Sequence, residues 1–354
     1  MKKLIMMVLA MILVVCCSAS LAETTIEGSL KTDIALKSVY EENPVVEGED
    51  PVTGLPASGE PYTPIMMILD NAENAYPHWG VMDASMFFQI PNAGKAATKL
   101  MALFTDKYPE IAGGVRSARM TMLPVAYSFD AAFAYGGKAP VDGSMINVDS
   151  YLRKWSYNKR GIAFNMLGNH YRQREDFEEE PHNLSSKIQE IHQKLVADNV
   201  EFKVRPYKFT DAPRTEGETA NLITIKMYTD KKSGQYNNAS YAEYAYREGD
   251  GYIRNSAAGE YRDRFVEGSI PFANVIVMRA DIRSQDGYVF YRDHLCGEGP
   301  AEIFQNGKYV QGAWVRRNVD DRIVFVDVNG EELELQRGRS FVIITDDSAD
   351  VIYE

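Results

Sequence analysis

Two guanidinium groups beside a glycine pair are the residues best suited to chemistry in this chain. They lie in Gly113-Gly114-Val115-Arg116-Ser117-Ala118-Arg119. Glycines let backbone N–H groups approach a ligand closely, and a helix starting there would aim its positive end at the same place. Arg116 and Arg119, three residues apart, share a face if that helix has begun. With the Ser117 hydroxyl and free N–H groups they suit a carboxylate or phosphate. The segment is no Walker loop, because the Gly-Lys-Ser/Thr ending is absent. The same arginine forks serve equally well to pair Asp70 or Asp130 and pin a helix to a sheet, so a binding and a structural role both stand open. Pro181-His182-Asn183-Leu184 comes second. There His182 could act with Asp70 as general acid or base, and Asn183 could orient a substrate. An Asn ahead of a helix is more often a cap, and a lone His more often structural.

Other constellations are weak. Asp293-His294 with Cys296 has no second cluster at ligand spacing. Asp327, Asn329 and Glu331 alternate as a calcium loop begins, but its central Gly and final Glu are missing, and an Asn-Gly hairpin accounts for them. No metal and no cofactor are therefore expected. Neither a nucleophile elbow nor Ser-x-x-Lys is present for covalent hydrolysis. Cys296 reads as a small core residue. Tyrosines 236, 241, 244, 246, 252 and 261 could stack sugars or peptides, though cross-strand pairing is the simpler use. With 38 basic and 50 acidic residues the charge is −12, which repels phosphate backbones and argues against nucleic acid as a partner.

The start of the chain bears on location. Lys2 and Lys3 precede an apolar run, Leu4 to Val15, too short to span a hydrocarbon core, with small residues after it. This predicts a signal peptide over 1–22, cleaved after Ser20-Leu21-Ala22. A second reading makes Cys16 a lipid-attachment residue, against which Val15 is bulkier than the usual Gly, Ala or Ser. Membrane contact would then run through Cys16 alone. Cleavage leaves 36 basic against 50 acidic residues, or −14, and Cys296 as the one cysteine.

Residues 23–62 read as an acidic, proline-rich linker, a stalk between the folded part and a membrane or wall. The 354 residues suffice for two domains. Over 63–205, strand-like runs at Ile65–Leu69, Met86–Ile90 and Ala131–Tyr135 alternate with helical patterns. Lys99–Thr105 also reads as a strand, although Ala96, Leu100, Leu103 and Phe104 fit a helix face. A helix is expected from the arginine segment to Phe129, with Pro124 tolerable only in a first turn. Another is expected from Ser186 to Asn199, with Ser186 and Gln189 at capping-box spacing. Over 206–354 the texture is hairpins, marked by Asn306-Gly307 and Asn329-Gly330. The expected fold is a mixed α/β (α+β) N-terminal domain followed by a mostly antiparallel β domain.

These landmarks form an ordered set: Pro51-Val52-Thr53-Gly54-Leu55-Pro56, Gly80 to Phe88, Gly114–Arg119, Asp130 to Gly137, Pro181-His182-Asn183-Leu184, Asn274–Val277, Gly297-Glu298-Gly299, Phe304–Lys308 and Trp314. The set resembles the YerB-like family, a two-part bacterial family of unknown function found in exported lipoproteins. The resemblance covers nearly everything from Pro51 to Thr345. It departs at Phe88-Gln89, where relatives carry Tyr-Glu, at Ala134 for a histidine, and at Lys99 and Tyr76 for arginines. Each swap loses an acid, a base or a bidentate fork.

The resulting expectation is an extracytoplasmic cell-envelope protein that binds or scaffolds without catalysis. Its ligand, an anionic small molecule or cell-wall fragment, would meet Arg116, Ser117, Arg119 and Asn183. The rival is an envelope hydrolase using His182 and Asp70, with the arginines as oxyanion clamp. A third possibility is protein–protein assembly through the second domain.

Overall fold

A computed structural model describes residues 31–93, 97–139, 145–228, 233 and 240–354. The expected signal peptide, Cys16 and Tyr236 lie outside the described residues. Strand β1 (Ile65–Leu69) is a five-residue apolar run buried on both faces, as expected of a central strand. It pairs antiparallel with β3 (Ala97–Phe104), which pairs antiparallel with β2 (Met86–Ala93). The strand reading of Lys99–Thr105 therefore wins over the helical one. On its other side β1 is parallel to β5 (Ala132–Tyr135), followed by β6 (Ala163–Asn165).

The second half does not simply pack against the first. Ser340–Thr345 lies parallel to β2, and Asn274–Arg279 follows it in the same sheet. The long hairpin of Gly297–Gln305 and Lys308–Arg316 extends that sheet further. One sheet thus runs through both halves, and one apolar cluster includes side chains from each, among them Phe87, Phe88, Phe341 and Val342. A smaller sheet of the C-terminal half, built on Leu222–Lys226, Tyr241–Arg247 and Gly251–Ser256, ends with the chain's last strand, Asp350–Tyr353. Strands dominate and helices are few.

Local expectations fare unevenly. Asn306 and Gly307 both have positive φ, 51° and 71°, and turn the long hairpin. After Asn329-Gly330 the chain makes only a bridge back, Val326 to Glu332. Its next strand, Glu334–Gln336, pairs with Lys208–Thr210 instead. The helix from the arginine segment shrinks to α1 (Leu123–Ser128), with Pro124 in its first turn. Helices α2 (Val148–Lys154) and α3 (Tyr157–Arg160) follow; they carry too few residues for a periodic signal. Helix α4 (Ile188–Ala197) lies inside the expected range, but Ser186 does not cap it. Ser186 is instead the last residue of β8 (Leu184–Ser186), which pairs with β4 (Ala112–Gly113) and β7 (Arg172–Arg174).

The acidic segment is a strap rather than a stalk over its described part. Tyr40 Oη donates to the Gly330 carbonyl at 2.9 Å, and Asn43 Nδ2 donates to Glu332 Oε1 at 2.7 Å. Glu49 pairs with Arg337 at 2.9 Å. Val52 is fully buried, and Asp50 Oδ1 accepts from the backbone of Val52 and Thr53. Its acids find arginines of the C-terminal half, and its apolar residues find the core; composition shows neither partner.

Candidate functional site

Strands β1, β5 and β6 run in parallel, so their carboxyl ends share one edge of the sheet, where open α/β sheets tend to bind ligands. Asp70 follows β1 there and is 1% exposed. Lys99 on β3 reaches its Oδ1 at 2.5 Å, and Arg116 Nε reaches its Oδ2 at 2.5 Å. His182, from the loop before β8, brings Nδ1 to 2.8 Å of the same Oδ2. Arg116 also donates to the Pro181 carbonyl and sets Nη2 2.7 Å from His182 Nδ1. Burial alone would raise the Asp70 carboxyl, but the charges of Lys99 and Arg116 outweigh it and hold it well below the ordinary range.

Behind the carboxylate, His78 Nε2 contacts the Asp70 carbonyl at 2.7 Å and Nδ1 contacts Tyr261 Oη at 3.2 Å. Burial pushes its imidazole down to about 4, so at neutral pH it is an uncharged support.

Arg119 differs from Arg116. It makes no ion pair among the described residues; Nη1 donates to the Ala118 carbonyl at 2.8 Å, and its buried Nε has no partner. The guanidinium lies over Tyr288, 5.9 Å from the ring centre. Burial lowers the Lys99 ammonium, Asp70 raises it, and Arg116 and Arg119 lower it again, so Lys99 feels both arginines. Lys99 and Arg116 thus share the Asp70 carboxylate, and Arg119, close enough for Lys99 to feel its charge, adds a third cation with no carboxylate of its own among the described residues.

Other expected members lie elsewhere. Ser117 Oγ donates to the Gly136 carbonyl at 3.0 Å. Asn183 Nδ2 donates to the Glu175 carbonyl at 3.1 Å and its Oδ1 accepts from Arg174 at 2.6 Å, so it ties the β7–β8 turn together. Asp130 pairs with Arg160, not with either candidate arginine. Four of the N–H groups expected to face a ligand are engaged as well. Gly113 donates to Trp79, Val115 to Leu184, Arg116 to Ile68 and Ala118 to Gly137. The segment is therefore a crossing strand-like element, because neighbouring backbone supplies its bonds before a helix can. Its glycines serve packing: a Cβ at Gly114 would stand 2.1 Å from the His182 carbonyl oxygen. Sequence reasoning missed Lys99 as the second cation on Asp70, and Tyr288. The one available signal for Lys99 was a lysine inside a buried strand.

Fold and site together define a two-part, strand-rich protein with a charged cluster at the edge of the shared sheet. The description "Protein of unknown function (DUF3048) N-terminal domain" matches residues 52–201, and the corresponding C-terminal domain matches residues 233–342. The chain belongs to this family. It is 26% identical over 308 residues to a Bacillus subtilis (strain 168) protein named "Putative lipoprotein YerB", covering 84% of this chain and 86% of that one. The crystal structure of YerB protein from Bacillus subtilis superposes with a TM-score of 0.69 at 23% identity, over 86% of this chain and 99% of that chain. No helix among the described residues is long and apolar enough to cross a membrane.

Proposed function

We propose that this is an extracytoplasmic, envelope-associated binding protein that captures an anionic group at the sheet edge beside Asp70. The carrying observation is the charge imbalance: Asp70 organises Lys99 and Arg116, while Arg119 keeps no carboxylate among the described residues. The buried carboxylate fixes the two cations it touches and preorganises their outer faces, so an arriving carboxylate or phosphate meets positioned donors. Ser117 and Asn183 drop out of the contact set, and Lys99 enters it. The lipoprotein name of the relative and the apolar leader of this chain support a place in the cell envelope. Melting the protein with multiply charged cell-wall fragments and inorganic phosphate tests the reading. At least one should raise the midpoint, and Arg119→Ala should abolish that rise; an equal rise in the variant refutes the site.

One contact favours a second reading. His182 and Asp70 meet at 2.8 Å, the arrangement that orients an imidazole as general base. Nδ1 cannot both donate to Asp70 and accept from Arg116; with its proton directed at the carboxylate, Nε2 is left as the basic atom. No serine or cysteine is seen bonded to His182 among the described residues, so this chemistry would act on water. Turnover of an ester or amide wall fragment, lost in His182→Gln, is its test.

A further inference from the structure

A second guanidinium is more deeply buried and has less to neutralise it. Arg254, in the strand Gly251–Ser256, is 1% exposed and sits among rings, its Cζ 5.7 Å from the centre of Tyr261 and 5.6 Å from that of Phe341. Its Nη1 lies 3.4 Å from Tyr76 Oη and its Nη2 lies 3.5 Å from Gln89 Oε1, both at the outer limit of a hydrogen bond. Nε has no hydrogen-bond partner among the described residues. Among the described residues Arg254 forms no ion pair. Burial raises the phenols of Tyr76, Tyr244 and Tyr261, so they stay neutral at physiological pH and cannot compensate the charge. An uncompensated buried cation is expensive.

Arg254 lines a cavity of about 70 Å³ together with Asn71, Tyr76, Tyr241 and Ser256. That volume exceeds the ~30 Å³ share of one water and suits a group of a few heavy atoms. Its lining has one cation, and Glu73 stands exposed at its rim, so a multiply charged ligand is disfavoured. We infer that Arg254 is the anchor of a second site, separate from the Asp70 cluster, that takes a small monoanion of the carboxylate class. A carboxylate in the cavity supplies the counter-charge that the fold withholds.

Gln89 provides the test. It is buried, and its Oε1 already faces Nη2, so Gln89→Glu is an isosteric change that installs an internal carboxylate. Melting is followed in sodium acetate against sodium sulfate at equal ionic strength. Saturating acetate should raise the midpoint of the unsubstituted protein by about 2–5 °C. Gln89→Glu should melt higher without acetate and lose the acetate shift. Arg254→Met should lose the shift too, and Gln89→Glu reads the answer if that variant does not fold. Arg119→Met should keep the shift, which separates this site from the Asp70 cluster. No acetate shift in the unsubstituted protein, or one that survives Gln89→Glu, overturns the proposal.

Discussion

Replacing Asp70 by Asn keeps the shape of the site and removes the charge that organises it. In the native protein this carboxylate is nearly inaccessible and binds Lys99, Arg116 and His182 at 2.5, 2.5 and 2.8 Å. Breaking a buried pair costs about 3–5 kcal/mol, because the partners lose their compensation. The two cations keep 18% and 17% side-chain exposure, so water relieves part of their loss and the low end, about 3 kcal/mol at pH 7, is expected. The pH dependence carries the sharper test. The unfolded carboxyl titrates near ~3.9 and the folded one lower, so its contribution is complete above that range and is lost as pH falls. Below about pH 3.9 the gap between the parent protein and Asp70→Asn should close by up to ~1.4 kcal/mol per pH unit. Urea unfolding of both proteins at pH 7, 4 and 3 measures it. A gap unchanged from pH 7 to 3, or widening, would refute the electrostatic account of this cluster.

The two arginines should separate cleanly: Arg116→Ala destabilises by about 2–4 kcal/mol because Asp70 loses one of its two cations, whereas Arg119→Ala changes stability by under ~1 kcal/mol, both read by urea unfolding. Gly114→Ala should cost about 1–3 kcal/mol and shift the His182 ring resonances, since its Cβ collides with the His182 carbonyl. His78 is buried neutral, so stability should fall as pH drops from about 6.5 through about 4, by about 3 kcal/mol in all, and His78→Gln should flatten that slope in pH-resolved melts. Arg316 donates to the carbonyls of Pro124, His294, Val319 and Asp321 and so ties α1 to the C-terminal half. Arg316→Met should cost about 2–4 kcal/mol in the same denaturation assay, by leaving those carbonyls unsatisfied.

Much of the local structure was legible and most of its assembly was not. Ile65–Leu69, Met86–Ile90 and Ala131–Tyr135 announce themselves because a strand buried on both faces needs an unbroken apolar run. Asn306-Gly307 does so because both turn positions require positive φ. The insertion of Ser340–Thr345 beside β2 leaves no such mark: its partner lies some 250 residues away, and any buried apolar strand would read alike. The same limit applies at the site. Asp70 was visible as one partner for the arginines, yet Arg116 and His182 reach it across 46 and 112 residues, and only the fold decides which arginine it takes. Ser186 misled for a related reason. Cap spacing is a local signal, and pairing with β4 and β7 overrode it.

The central claim is that the cation surplus around Asp70 is available to an incoming anion through Arg119. Isothermal titration of the protein and of Arg119→Met with a phosphate- or carboxylate-bearing wall fragment measures this directly. The account predicts saturable binding to the parent protein that vanishes in the variant while its melting midpoint stays within a degree or two. Equal affinity in both would contradict it.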